Sequence, residues 1–280
     1  MKIFLKNLRY LFKHNLKHNI LKPESINDML DSVKYECGDL EIRRPKILSF
    51  DNTIKSLKTH SICRFGDGEL QLIQGNDIPF QKSSAEISNK LKEVLSSNHS
   101  NIAIAIPRNL YCNLSNLLPL AKNFWRCHGN YFRMIVEQHI DFNQTYYSAE
   151  FTMAYGSGKE FFENLRKFWK NKDIAVIWNK KSHETIKYNI FDCANSVEYL
   201  YAPSKNAFDE YDKIFLDAQK VTKDKIFIIM LGPTATILAY DLALIGYKAW
   251  DLGHIAKSYD YYMSDKKVYD QKTAIEFFND

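Results

Sequence analysis

The stretch Ser61-Ile62-Cys63-Arg64-Phe65-Gly66-Asp67-Gly68-Glu69-Leu70 decides the reading of this chain. Ser61 to Phe65 is a short β-type run. It breaks into Gly66-Asp67-Gly68 and closes on a second carboxylate, Glu69. Glycine reaches backbone angles that other residues resist, so Gly66 and Gly68 permit a sharp turn after the strand. Such a turn can aim Asp67 and Glu69 at one point. Two carboxylates beside Arg64 suit a divalent cation with a phosphate: oxygen ligands for Mg²⁺ or Mn²⁺, a guanidinium fork for phosphate oxygens. The same residues also compose an ordinary surface turn, because Asp-Gly is a common turn dipeptide.

Outward from this stretch, strands and helices alternate. Ser83-x-x-Glu86 has the form of a capping box, and Ile87, Leu91, Val94 and Leu95 follow at helical spacing. Asn101 to Ile106 reads as a buried strand stopped by Pro107. Leu117 to Trp125 reads as a helix and Tyr131 to Val136 as a strand. Phe161, Phe162, Leu165, Phe168 and Trp169 share one helix face, which core packing explains. Asp173–Trp178 is a strand, Phe208–Val221 a helix and Lys225–Leu231 a strand. Thr234–Ile245 is a helix closed by Gly246, and Tyr247–Leu252 is a last strand. The expected fold is α/β: a Rossmann-like, largely parallel sheet with helices on both faces.

The chain has 280 residues, 45% hydrophobic and 25% charged, as in ordinary globular proteins. No apolar run is long enough to suggest a transmembrane helix, and the N-terminus lacks the pattern of a secretory signal. Five scattered cysteines without CxxC spacing argue against a disulfide framework or zinc site and fit a cytoplasmic location.

The net charge of +5 is unevenly placed. Lys2, Lys6, Arg9, Lys13, Lys17 and Lys22 fall in residues 1–22 with no acid, so the remainder is about neutral. A body-wide basic patch is absent from the sequence, so nucleic acid is not an expected partner. Leu5, Leu8, Phe12 and Leu16 give residues 1–22 an apolar face, making a basic amphipathic helix. It suits either an anionic membrane surface, here the inner face of the cell membrane, or a docking site on protein. Pro23-Glu24-Ser25 stops it, and residues 23–44 read as a connector ending in Arg43-Arg44-Pro45. The main domain is expected over residues 45–280.

Ligands of such sheets sit outside the carboxyl ends of the strands, and further polar clusters fall there. Gly232-Pro233-Thr234-Ala235-Thr236 opens a helix whose free N–H groups and threonine hydroxyls make an anion site. Asp251-Leu252-Gly253-His254 follows the last strand. Pro203-Ser204-Lys205-Asn206 sets a cation and small polar groups before a helix. Each also reads as an ordinary cap or loop.

Together these motifs resemble the GT-D-fold bacterial glycosyltransferases. The resemblance rests on Arg64-Phe65-Gly66-Asp67-Gly68-Glu69, Pro203-Ser204-Lys205-Asn206-Ala207-Phe208, Leu231-Gly232-Pro233-Thr234-Ala235, and Gly246-Tyr247 with Asp251-Leu252-Gly253-His254. It covers roughly residues 45–262, with the motifs in matching order and spacing. It implies a metal-dependent transferase taking a hexose, typically glucose, from a UDP-linked donor to a polysaccharide, lipid-linked glycan or glycoprotein glycan. The family's DxE motif falls on Asp67 and Glu69, which the resemblance makes the Mn²⁺ or Mg²⁺ residues. Arg64, Phe65, Gly66, Ser204, Lys205, Asn206, Gly232 and Thr234 are then the nucleotide-sugar residues.

Two stretches depart from the pattern. Family members carry a Ser/Thr-rich segment with an arginine before a tyrosine; here Ser148 to Tyr155 has no arginine. They also carry a Gly- and Arg-containing segment ending Gly-Asn-Asp-Leu-Phe; here Trp178-Asn179-Lys180-Lys181-Ser182-His183-Glu184 runs on to Asn189-Ile190-Phe191. Breaking a sugar–phosphate bond leaves charge on the nucleoside diphosphate, which an ion at Asp67 and Glu69 would stabilise, with Arg64 and Lys205 assisting. Asp251 and His254 are the candidate bases for an inverting reaction. A phosphohydrolase of nucleotide sugars and a non-catalytic subunit of a glycan-assembly complex are the alternative readings.

Overall fold

The computed structural model describes residues 42–111, 119–151, 157–268 and 271–278. The basic segment 1–22 and most of the connector lie outside the described residues, as does the 152–156 part of the first departure.

Eight strands form one sheet: β1 (Lys46–Ile47), β2 (Ser61–Arg64), β3 (Ile102–Ile106), β4 (Thr145–Ser148), β5 (Asp173–Trp178), β6 (Ser196–Tyr201), β7 (Ile226–Met230) and β8 (Lys248–Asp251). Their order is β1-β4-β3-β2-β8-β7-β5-β6, and every pairing is parallel. Strands β2, β3 and β7 are buried along their whole length. That follows from helices on both faces, which turn an alternating strand into a continuous apolar run.

The helices are α1 (Phe50–Ser56), α2 (Asp67–Ile73), α3 (Ala85–Leu95), α4 (Pro119–Glu137), α5 (Gly158–Arg166), α6 (Lys180–Thr185), α7 (Tyr211–Ala218), α8 (Pro233–Leu244), α9 (Ile255–Met263) and α10 (Gln271–Phe278). One core layer joins Cys63, Ile104, Phe227 and Ile229 of the sheet to α2, α3, α4, α7 and α8. The other joins Ile62, Ala105, Val176, Ile228 and Trp250 to α1, α5 and α9.

Three sequence expectations are corrected. Tyr131–Val136 is not a strand but the last third of α4. Phe132, Ile135 and Val136 are buried while Met134 is exposed, a helical spacing hidden inside a β-prone run. The cap of α3 is Ser84 rather than Ser83: the Ser84 hydroxyl accepts the Ile87 N–H, while Ser83 donates its own N–H to Asp77. Phe208–Val221 is a 3-10 turn followed by the shorter α7.

Candidate active site

The residues that matter lie at the carboxyl ends of β2, β8 and β7, which are neighbours in the sheet. Ile62 pairs with Trp250 and Ile229 with Asp251, so Arg64, Asp251 and the Gly232 turn come out together. Sequence separation of about 190 residues is closed by strand order alone.

Arg64 and Asp251 form a buried pair. Arg64 Nε lies 3.7 Å from Asp251 Oδ1, with relative exposures of 7% and 0% for the two residues. Asp251 Oδ1 also accepts the Gly253 N–H at 3.0 Å. Thr236 Oγ1 lies 2.8 Å from the Arg64 carbonyl and 3.0 Å from Asp251 Oδ2, so its single proton is shared between two acceptors. The Thr236 hydroxyl therefore ties β2 to β8 and is turned away from any anion at the start of α8.

Asp67 and Glu69 are the first and third residues of α2, with Gly66 as N-cap. Glu69 is buried, and its Oε2 accepts the Gly66 N–H at 2.6 Å. Gly66 has no side chain to return the bond, so this is half a capping box. A Cβ on Gly66 would stand 3.1 Å from Glu69 Oε2 and 3.2 Å from Arg64 Nη1, which places both side chains over the turn. Asp67 instead opens to solvent.

Three carboxyls thus surround one guanidinium. Burial pushes the Glu69 carboxyl up to about 7; Arg64 opposes the rise and the Asp251 charge adds to it. Burial also raises Asp251, against Arg64, the Gly253 N–H and Thr236. Asp67 is raised by the protein crowded around it, against its own N–H, Arg64 and the Gly68 N–H, but its solvent contact tempers that rise. A site with surplus negative charge of this kind favours a bound cation. Among the described residues no group of three or more His, Cys, Asp or Glu could hold a metal by itself. Asp67 and the remaining Glu69 oxygen fit an ion that takes few protein ligands and completes its shell with phosphate oxygens and water.

The Gly232 turn forms the adjoining wall. Gly232 has φ +54°, and a Cβ there would meet Phe80 Cε2 at 2.8 Å. Pro233 is the first residue of α8, and Thr234 is fully buried with its hydroxyl lacking a hydrogen-bond partner among the described residues. Pro233 has no N–H and the Ala235 N–H is taken by the Gly232 carbonyl at 2.9 Å, so the helix dipole and the unpaired Thr234 hydroxyl are what this helix start offers an anion.

Asn206 sits in the left-handed region at φ 52°. It donates its N–H to the Phe80 carbonyl at 2.7 Å, and its Oδ1 accepts the Lys82 N–H at 2.9 Å. It is a clamp between two loops, next to Ser204 and Lys205, which are exposed. Phe65 is wholly buried in the core. His254 is half-buried at the start of α9, its ring 5.9 Å from that of Phe277 on α10. Phe80 and its clamp escaped sequence reading: the only signal was Pro79-Phe80 in a loop with no motif.

The family model for the glycosyltransferase GT-D fold matches residues 62–276. This chain belongs to the GT-D glycosyltransferase family. A GT-D structure described as a highly conserved domain of unknown function 1792 with a distinct glycosyltransferase fold superposes with a TM-score of 0.78 at 28% identity, covering 90% of this chain and 93% of that one. A second, described as a new glycosyltransferase (DUF1792) from Streptococcus sanguinis, gives 0.74 at 26% identity, covering 84% and 92%. Two curated relatives are a probable glycosyl transferase Gly of Streptococcus gordonii and a glycosyltransferase GlyD of Streptococcus pneumoniae serotype 4. The first is 29% identical over 82% of this chain and 35% of its own length; the second is 26% identical over 77% and 27%. The GT-D chain thus spans about a third of the length of these relatives. Among its described residues, no helix is long and apolar enough to cross a membrane.

Proposed function

We propose that this chain is a metal-dependent hexosyltransferase. It moves a sugar such as glucose from a UDP-linked donor to a growing surface polysaccharide, lipid-linked glycan or glycoprotein glycan. One observation carries the reading: a carboxyl-rich cluster of Asp67, Glu69 and Asp251 around Arg64 faces the anion-fitting start of α8. That pairing of a cation site with a phosphate site is what a nucleoside diphosphate needs.

Asp67 and Glu69 would hold Mn²⁺ or Mg²⁺, which supplies Lewis-acid stabilisation of the departing diphosphate when bound. The positive end of the α8 dipole and the Thr234 hydroxyl bind phosphate oxygens, and Lys205 adds a cation from the loop after β6. Arg64 supports the leaving diphosphate, held in place by Asp251. Asp251 is buried and engaged on both oxygens, so we assign it to positioning Arg64. His254, half-buried beside it, is the candidate base for the acceptor hydroxyl.

Residues 1–22 would hold the enzyme on the inner face of the cell membrane, each cation contributing about 1 kcal/mol near an anionic surface. Deleting them should abolish sedimentation with anionic liposomes; unchanged sedimentation rejects that placement. The donor is tested by thermal shift with UDP-, GDP-, CMP- and dTDP-sugars, with and without Mn²⁺, since a ligand bound only to the native state raises its melting temperature. A rise confined to the UDP-sugars and requiring Mn²⁺ supports the proposal, and a rise confined to another nucleotide rejects the UDP donor. No rise with any donor would reject it.

A further inference from the structure

The segment that departs from the family pattern builds an aromatic cluster at the carboxyl ends of β5 and β6. Trp178 ends β5, and Tyr201 ends β6 directly opposite it in register. Tyr199 and Tyr201 lie on the same face of the strand, their rings 6.3 Å apart and within 4° of parallel. His183, on α6, stacks on Tyr199 at 4.1 Å, and its Nδ1 lies 2.7 Å from the Tyr201 hydroxyl. Trp178 backs His183 at 5.1 Å. Tyr201 is 49% exposed. The neighbouring rings and the contact with His183 thus fix a half-open tyrosine in one orientation at the end of the sheet.

The cluster adjoins the phosphate groups of the candidate site. Met230, Trp178 and Tyr201 stand in one row across β7, β5 and β6, and the Gly232 turn follows Met230. The span from β7 to β6 is two strand spacings, roughly 10 Å. Lys205 comes four residues after Tyr201. The next residue, Asn206, donates to the carbonyl of Phe80, whose ring lies against Gly232. The chain leaving Tyr201 therefore runs back to the α8 start.

Connections diverge between the two groups: β5 leads outward to β6, and β7 leads the other way to β8. The helix α8 packs in one core layer, and Trp178 and Tyr199 in the other. Sheets of this kind bind ligands in the crevice at such a switch point. Here the α8 start forms one lip and the rings form the other.

Order along the sheet decides the occupant. From β2 through β8 and β7 to β5 and β6, the carboxylates come first, the α8 start next and the rings last. A nucleotide sugar has its groups in the same order: sugar and ion-bound diphosphate, then ribose, then base. The ribose and its phosphate fill the span between the α8 start and the rings. An acceptor must instead reach the bond between sugar and diphosphate, which lies on the Asp67 and Glu69 side. The rings stand behind the leaving group, where the nucleoside goes. Every base has a π-face, and aromatic side chains bind it by stacking.

We infer that Tyr201, oriented by Tyr199, His183 and Trp178, is the platform on which the donor's nucleobase stacks, uracil in a UDP-sugar. The inference rests on the nucleotide-sugar reading and adds which residues hold the base.

The test is calorimetry on the full chain with Mn²⁺. UDP, CDP, GDP and dTDP are compared with ribose 5-diphosphate, which keeps the ribose and phosphates and lacks the base. At least one nucleoside diphosphate should bind the wild type about tenfold or more tightly than ribose 5-diphosphate, the size of one base–aromatic stack. Tyr201→Ala should remove that advantage and leave ribose 5-diphosphate affinity unchanged. Tyr201→Phe, which keeps the ring but loses the contact with His183, should retain most of it. The melting temperature of Tyr201→Ala should stay near wild type because the side chain is half exposed. An advantage that survives Tyr201→Ala overturns the inference, as does an equal loss for all the ligands. A wild type that binds ribose 5-diphosphate as tightly as every nucleoside diphosphate also overturns it, and leaves the phosphate site standing. A wild type that binds none of them rejects the donor reading, and this inference with it.

Discussion

Arg64 Nε stands 3.7 Å from Asp251 Oδ1, and the two residues end neighbouring strands that are far apart in the chain. This buried pair is the fixed point of the site. Arg64 leans toward the Glu69 turn, while Asp251 is held by Thr236 and Gly253.

Removing one side of the pair should destabilise the fold. Breaking a buried ion pair costs about 3–5 kcal/mol, because the remaining charge is left without its partner. Asp251→Ala should therefore lower the urea midpoint markedly. Thr236→Val keeps shape but loses the shared hydroxyl, at about 1–3 kcal/mol. The two changes should be non-additive in a double-mutant cycle, since both act on one network. Strict additivity would mean that Thr236 serves the Arg64 carbonyl alone.

Glu69 gives a pH prediction with a definite sign. Its folded pKa of about 7 lies above its ordinary value of 4.5, so the folded state binds the proton more tightly than the unfolded state. Its contribution to stability is full below about pH 4.5 and is lost as pH rises through 7. In EDTA, stability should decline from pH 5 to pH 8, and Glu69→Gln should flatten that decline. Mn²⁺ binding, which needs the ionised carboxylate, should strengthen over the same interval. A wild-type profile identical to that of Glu69→Gln would refute the assignment.

Asp67 should separate activity from stability. It is exposed, so Asp67→Asn should move the melting temperature by no more than a few degrees. The charge that an ion requires is nevertheless gone, and transfer at saturating donor should be eliminated. EDTA should stop the wild type and Mn²⁺ should restore it. Full-rate transfer by Asp67→Asn would end the metal proposal.

Gly232 should tolerate no side chain. At φ +54° any other residue is strained, and a Cβ would stand 2.8 Å from the Phe80 ring. Gly232→Ala should lose at least 1 kcal/mol of stability from backbone strain, with the Phe80 clash added. Phe80→Ala should restore only the clash part when combined with it. Full recovery in the double variant would show that the backbone strain is negligible.

The sequence by itself determined the layers and the turns that carry the candidate site. Short β-branched runs such as Ile102–Ile106 and Ile226–Met230, bounded by turn residues, read as strands of a sheet covered on both faces, and they are. Glycines and carboxylates after Arg64, and Gly232-Pro233 before a helix, are local turn and cap signals that need no neighbour to be read. Tertiary structure decided the rest. Tyr131–Val136 had strand propensity, and packing of Phe132, Ile135 and Val136 against the core made it helix. Asp67 and Glu69 looked equivalent, yet Asp67 is exposed while Glu69 is buried and folds back to accept the Gly66 N–H. Asp251 read as a candidate base until strand order buried it behind Arg64. The aromatic cluster was invisible because β5 and β6 meet only by pairing. Local signals come from a few adjacent residues, whereas burial and charge environment are set by contacts distant in sequence, and those exist only once the sheet has closed.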